Sequence, residues 1–271
     1  LARRGLGNVW PNPAVGCVIV NNGRIVGRGW TQPGGRPHAE TMALEQAGNK
    51  ADGGIAYLNL EPCCHQGLTP PCTEALITAG ISEVYASLID PDPRVSGAGL
   101  DQLAKENITT NLGLLSQSAR KINQGFFMRI KQGRPLITLK TATTLDGKIG
   151  TKDGESQWIT GEEARALGHL LRTQHDAIMV GSGTALADNP QLNVRLPGVP
   201  VKGKPRIVLD GRLRLPLDSN LVMAAHDSPV WLVTRDNHPP EKLQPYKDRN
   251  VDIIFLPCGE NRKCDINLIL K

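Results

Sequence analysis

The sequence is poor in aromatic residues, with three Phe, three Tyr and four Trp among 271 residues, and its basic side chains are not interleaved with them. That scarcity argues against a polynucleotide-binding stripe. The formal net charge is only +5, a scattered excess that suits an anionic small molecule better than a polymer. Long hydrophobic runs are missing too. Val15 to Val20 and Ala177 to Val180 fall far short of the ~20 residues that cross a bilayer, and no basic, apolar and small-residue sequence opens the chain. A cytoplasmic protein without membrane or nucleic-acid partners is therefore expected. Cysteine is also sparse: six residues are too few for a secreted disulfide scaffold. Hydrophobic residues at 39% and charged residues at 21%, with a mean hydropathy of −0.25, are ordinary for a globular chain, and the length allows about two domains. The first residue is Leu1 rather than Met, and Lys271 falls inside an apolar, helix-like pattern of Ile266, Ile269 and Leu270. Both ends are expected to be trimmed.

What is present alternates strands with helices. Ala14 to Val20 and Arg24 to Trp30 flank an Asn22-Gly23 turn and read as a hairpin. A helix is predicted to begin at or beside His38 and to run to Ala47, capped by Gly48. Strand Ile55 to Leu60, a helix entered through Pro71 over Cys72 to Ala79, strand Glu83 to Ile89, loop Asp90 to Pro93, a helix near Gly99 to Glu106 and strand Ile108 to Asn111 complete an α/β domain. A single linking helix over Leu115 to Ile130 leads to a boundary near Lys131 to Pro135, giving domains 1–132 and 133–271. Beyond it the pattern predicts strand Leu136 to Thr144, a turn at Asp146-Gly147 and a Thr160/Glu163 capping box before a helix of Glu162 to Thr173. Strands follow at Ala177 to Val180, Arg206 to Leu209, Val230 to Val233 and Val251 to Leu256.

Three cysteines, Cys63, Cys64 and Cys72, crowd into ten positions downstream of His38-Ala39-Glu40. One imidazole and two thiolates supply three ligands of a hydrolytic zinc site and leave the fourth position open for water. His38, Cys63 and Cys72 are the candidate ligands. Zinc can lower the pKa of bound water from 15.7 to about 7, worth roughly 12 kcal/mol, against ~0.3–1 kcal/mol from a helix N-terminus. Protons must still move between water, ring nitrogen and leaving ammonia, and a carboxylate that is not a ligand performs that transfer. Glu40 is the candidate. Mid-helix it would point about 200° away from His38; at a first turn both can face one centre.

The HxE and PC pattern resembles that of zinc-dependent nucleobase and nucleoside deaminases. Those enzymes usually show PCxxC, whereas Cys64 to Pro71 separate the two thiolates here. PCCHQGLTPPC, together with Asn12-Pro13-Ala14-Val15-Gly16 upstream, closely resembles the bifunctional riboflavin-biosynthesis deaminase-reductase family. The second half agrees through Leu139-Lys140, Leu145-Asp146-Gly147-Lys148, GESQWIT at Gly154 to Thr160, Arg172 and TALADNP at Thr184 to Pro190. The resemblance covers nearly the whole chain. It implies a cytidine-deaminase-like three-layer α/β/α domain followed by a dihydrofolate-reductase-like α/β domain, a phosphorylated pyrimidine substrate, zinc and NADPH, and a homo-oligomer is expected. Carried over by position, Asn12 orients the ring; Ala142, Trp158, Thr184, Asp188 and Gly211 line the nicotinamide cofactor; Lys140, Ser156, Arg172, Leu192 and Arg195 face substrate. The guanidinium groups of Arg172 and Arg195 suit a phosphate. In relatives a basic residue often stands at Leu68 and a serine at Cys64, departures that bear on phosphate contact and leave the zinc ligands intact. Relatives also carry a glycine-rich segment beyond Leu270, so a C-terminal part is expected to be missing.

Blander readings stand beside these. Cys64 could complete a structural Cys₃His site, although such a site has no need of Glu40. Cys17 reads as a small core residue, and His65 as either solvated or a substrate contact. A dinucleotide fingerprint at Gly181-Ser182-Gly183 fails at Leu186. A monofunctional deaminase with an inactive reductase-like domain, and a zinc-stabilised nucleotide-binding module without turnover, are the rival functions.

Overall fold

Residues 1–199, 203–256 and 266–270 are described in the computed structural model, and the chain divides into two compact units, Leu1–Leu136 and Ile137–Lys271. In the first, β1 (Gly16–Asn21) and β2 (Arg24–Trp30) form an antiparallel hairpin. Its turn is made by Asn22 and Gly23 at φ 50° and 73°, the backbone that Asn-Gly accepts with least strain. Helix α1 (Ala39–Ala47) follows, then β3 (Ile55–Leu58), α2 (Cys72–Thr78), β4 (Glu83–Ala86), α3 (Ala98–Lys105) and β5 (Thr109–Leu112). The sheet order is β2-β1-β3-β4-β5, with β3, β4 and β5 parallel.

Register decides which face is apolar. Cys17 pairs with Gly29 and Leu58, Ile19 with Gly27 and Ala56, and these lead to Val84 and Ala86 on β4. Alternation puts this set on one side of the pleat, where it is buried with Ala39, Ala43, Leu76 and Leu103 from α1, α2 and α3. Cys17, fully buried, is the core residue that its strand position implied. Gly27 and Gly29 allow α1 to lie directly on the hairpin: a Cβ on Gly29 would stand 2.0 Å from the Ala39 carbonyl oxygen, and one on Gly27 2.1 Å from that of Ala43.

The expected linking helix is two helices, α4 (Ser116–Ile122) and α5 (Gln124–Gln132). They break at Asn123, whose buried amide is engaged with the backbone of Ala14. In the second unit, the expected strand Leu136 to Thr144 is absent. That segment finds no partner strand among the described residues, Leu139 is 85% exposed, and a lone strand leaves its ladder groups unpaired. The turn at Asp146-Gly147 does form, with the Thr144 N–H donating to the Lys148 carbonyl at 2.9 Å. Helix α6 (Glu162–Gln174) begins at Gly161 without a side-chain cap, so the Thr160/Glu163 box does not form. Then come β6 (Ile178–Gly181), α7 (Ser182–Asp188), β7 (Arg206–Leu209), α8 (Asn220–Met223), β8 (Val230–Arg235), α9 (Pro240–Lys247), β9 (Val251–Leu256) and α10 (Ile266–Ile269). The four strands are parallel in the order β6-β7-β8-β9, around Val208, Leu221, Val230, Leu232 and Val251. Among the described residues no helix is long and apolar enough to cross a membrane.

Replacing Gly29 with Ala should drive α1 off the hairpin. The expected cost is at least ~2 kcal/mol, seen as a fall in the melting temperature of the first unit. An unchanged melting curve would show that the contact is not rigid.

Candidate active site

The site assembles at one end of the first sheet because three chain reversals occur there. Residue His38 is the N-cap of α1, with extended backbone at φ −72° and ψ 162°. It therefore lies outside the helical turn that carries Glu40, and the opposed directions expected mid-helix do not arise. Pro71 precedes α2 and places Cys72 at its first position. Cys63 sits two residues after Glu61, which continues the β3 path by donating its N–H to the Leu88 carbonyl at 2.9 Å. The three donor atoms of His38, Cys63 and Cys72 lie within 4.8 Å of one another: His38 Nδ1 is 3.3 Å from Cys72 Sγ and 3.6 Å from Cys63 Sγ, and the Cys72 N–H donates to Cys63 Sγ at 3.4 Å. Cys64 is not part of this group. Its thiol points instead to the Arg94 carbonyl, 3.8 Å away.

Charge is packed tightly here. Hydrogen bonds from Cys72 and His38 bring the Cys63 thiol down to about 4, against its burial, while the Cys63 thiolate, burial and Glu40 push Cys72 far up. Its bond to Cys63 raises the His38 imidazole. Glu40 is 3% exposed, and burial together with the Cys63 charge lifts its carboxyl to about 7. One imidazole and two sulfurs at this separation form the donor set of a tetrahedral zinc site with an open corner. The residues present fit the metal.

A cleft of about 490 Å³ opens over this centre. Asn12 forms one edge, its amide donating to the Gly35 carbonyl at 2.8 Å and lying 3.4 Å from His38 Nε2. The backbone behind Asn12 is held by side chains rather than by a neighbouring strand. Asn123 and Asn59 both donate to the Ala14 carbonyl at 3.0 Å; the Ala14 N–H donates to Asn123 at 2.9 Å and the Gly16 N–H to Asn59 at 2.7 Å. Thr31 accepts from the Val15 N–H at 2.9 Å and donates to the Pro13 carbonyl at 3.1 Å. Arg36 bonds Thr69 at 2.5 Å and lies 3.4 Å from His38 Nε2. His65 lines the cleft, and its buried Nδ1 has no hydrogen-bond partner among the described residues. Leu68 is 89% exposed at the rim. Sequence reading missed the wall opposite, where Glu61, Asp90, Asp92 and Arg94 line the cleft. The signal available was a loop at the carboxyl ends of parallel strands, a common ligand position in α/β sheets.

In the second unit the expected contacts are more dispersed. Arg172 and Arg195 meet at Asn193: Arg172 donates to its carbonyl at 2.7 Å and Arg195 to its side chain at 3.2 Å. Burial and then the nearby Arg195 charge lower the Arg172 guanidinium, and both cations, after burial, lower His169. Trp158 is 70% exposed, with the Arg165 guanidinium 4.4 Å from its ring centre. Thr184 and Asp188 are exposed on α7, Lys140 and Ser156 are exposed in loops, Ala142 and Gly211 are half-buried, and the Leu192 side chain lies in the apolar core at 6% exposure. Of this set, Arg172 and Arg195 are brought together at Asn193, while the others are spread over α7 and the surrounding loops.

Residues 135–271 match the model of the RibD C-terminal domain, and residues 3–88 that of the cytidine and deoxycytidylate deaminase zinc-binding region. The riboflavin biosynthesis protein RibD of Aquifex aeolicus is 44% identical over 257 residues, spanning 94% of this chain and 71% of that protein. The chain belongs to the RibD family. The RibD of Escherichia coli is 51% identical over 195 residues, which is 72% of this chain and 53% of that protein. Acinetobacter baumannii RibD superposes with a TM-score of 0.83 at 38% identity, over 94% of this chain and 71% of the other. A Thermotoga maritima deaminase/reductase does so at 0.81 and 36%, over 97% and 79%. The chain thus carries the pair of folds that the resemblance implied, a zinc-deaminase-like domain followed by a reductase-like α/β domain.

Two outcomes follow from this geometry. Cys63→Ser and Cys72→Ser should each lose most bound zinc while Cys64→Ser keeps it, measured by elemental analysis; loss in all three would restore the Cys₃His site. Burial holds the Asp90 carboxyl up at about 6, against the bond from the Asp92 N–H, above the ~3.9 of an unfolded chain. Ionised Asp90 thus weakens the fold above the higher value, and this penalty fades as pH falls toward the lower one. Asp90→Asn should raise the melting temperature at pH 8 and leave it unchanged near pH 4; equal shifts at both would exclude a titrating origin.

Proposed function

We propose that the chain is a bifunctional riboflavin-biosynthesis enzyme. Its first unit hydrolyses the 2-amino group of a diamino-pyrimidinone ribosyl phosphate, and its second reduces the ribosyl side chain to a ribityl chain with NADPH. The observation that carries the first half is the convergence of His38, Cys63 and Cys72 beside a buried carboxyl that is not among them. His38, Cys63 and Cys72 would hold zinc, which when bound supplies a water acidic enough to attack at neutral pH. Glu40 would carry the two protons of that water in turn, one to the ring nitrogen and the other to the departing amine, which leaves as ammonia, a transfer typically worth ~10²–10⁴ in rate. Its burial keeps bulk water from competing for those protons. Asn12, fixed by Gly35 and by the bonds to the Ala14 backbone behind it, presents an amide to the edge of the pyrimidine. The open cleft admits a nucleotide rather than only a free base.

For the second half, Arg172 and Arg195 supply two neighbouring cations for the substrate phosphate, and their mutual repulsion is relieved by an anion between them. Lys140 and Ser156 complete the substrate side in this reading, and Leu192, with its side chain in the core, would contribute through its backbone. Ala142, Trp158, Thr184, Asp188 and Gly211 take the nicotinamide cofactor, which brings the hydride while the protein contributes placement. The relatives' shared identity as RibD proteins supports both steps, and the family fits a cytoplasmic enzyme.

Glu40→Gln separates this reading from a binding module. Ammonia release should fall by about two to four orders of magnitude with zinc content unchanged; a variant as active as the parent removes Glu40 from the chemistry. NADPH oxidation on addition of deaminated substrate tests the second step. A full-length parent that releases ammonia but never oxidises NADPH is a deaminase with an inactive second domain.

A further inference from the structure

Glu61 is a buried carboxylate that the chemistry above does not use. It is 3% exposed, and no cation pairs with it among the described residues. Both of its oxygens are occupied by backbone N–H groups: Oε2 accepts from Asp90 at 3.0 Å and Gly97 at 2.9 Å, and Oε1 from Gly99 at 2.9 Å and Leu100 at 3.3 Å. Gly99 and Leu100 lie in the first turn of α3, whose N-cap, Gly97 at φ 98°, offers no side chain of its own. A carboxylate from a distant segment therefore satisfies donors that a helix otherwise leaves to water.

The position of Glu61 in the chain gives this cap a second effect. The next two residues are Pro62 and Cys63, and the segment capped by the carboxylate continues from the Asp90 to Val95 wall of the cleft. The joint is close at other points as well. A Cβ on Gly99 would stand 2.2 Å from the Pro62 carbonyl oxygen, and Gln102 of α3 accepts from Thr73 at 2.9 Å, next to Cys72. The Cys63 carbonyl in turn accepts the Thr73 N–H at 3.2 Å. Helix α3 is thus fastened to both thiolate-bearing segments, with Glu61 as its most heavily bonded fastener.

We propose that Glu61 is a positioning residue that sets the distance between the Asp90 to Val95 wall and the Cys63 segment, and so determines how closely the pyrimidine nucleotide fits against the metal centre. The inference rests on the deaminase reading for its kinetic consequence and on geometry alone for its structural one. An amide can accept at one oxygen only, and its NH₂ would face backbone donors at the other.

The test uses the full chain loaded with zinc. In Glu61→Gln, hydrogen exchange followed by mass spectrometry should speed up about tenfold or more across residues 90–100, as expected for losing charge-assisted bonds, with the β1 and β2 peptides unchanged. Its KM for deamination should rise about tenfold while kcat changes less than about threefold, since the wall binds substrate and does not touch the reacting proton. Gly99→Ala, which leaves the carboxylate in place but wedges the same joint against the Pro62 carbonyl and the Glu61 side chain, should reproduce the KM rise and guards against poor folding of the first variant. Uniformly faster exchange over the whole unit, or unchanged KM in both variants beside an active parent, would overturn the proposal. If the parent releases no ammonia, the deaminase reading fails and the exchange pattern alone decides the role of Glu61.

Discussion

Everything in the first unit is arranged around bringing one imidazole nitrogen and two sulfurs within 4.8 Å of each other in a half-buried place. Left to themselves, such donors repel or must carry protons, and the opposite displacements of Cys63 and Cys72 express that conflict. A divalent cation resolves it, because two thiolates and a neutral ring balance its charge. The local backbone has few choices left once this is required. His38 must stand at the N-cap of α1 to reach the centre while Glu40 sits in the following turn, Pro71 must start α2 at Cys72, and the β3 exit must turn at Pro62.

Around that centre, the cleft is held by polar side chains reaching over long stretches of chain. Asn59, Asn123 and Thr31 bind the backbone between Pro13 and Gly16, and Glu61 binds the loop and helix start opposite. The side-chain oxygens of Asn59, Asn123 and Glu61 are all filled by backbone N–H groups, so their burial is offset by hydrogen bonding. Side chains that grip backbone in this way let two walls without strand pairing keep a fixed separation. Rigidity of this kind is what a site needs if substrate is to meet a proton-carrying group at a set distance.

Much of this was legible before any coordinates. The hairpin was announced by Asn22-Gly23, the start of α1 by the Pro37-His38 junction and its end by Gly48, since these are local effects of single residues. The ligand triad was legible because a metal needs specific side chains at restricted spacing. Long-range clamps were not: nothing at Asn123 or Asn59 says that an amide will cross the unit to bind Ala14, and the helix around Asn123 accordingly read as unbroken. Nothing around Glu61 in the sequence says that its carboxylate will cap a helix beginning at residue 98. The strand expected over Leu136 to Thr144 failed for a related reason. Its composition suits a sheet, but strand formation depends on a partner that periodicity cannot name.

The two bonds between Asn123 and Ala14 join positions 109 residues apart. During synthesis the polypeptide leaves the ribosome amino end first, so the segment bearing Asn12 is made long before the amide that immobilises its backbone. The three sulfur and nitrogen donors have all been made by residue 72, and the last strand of the sheet by Leu112. The ligand set is thus complete in the order of synthesis well before the amide that fixes the wall beside it.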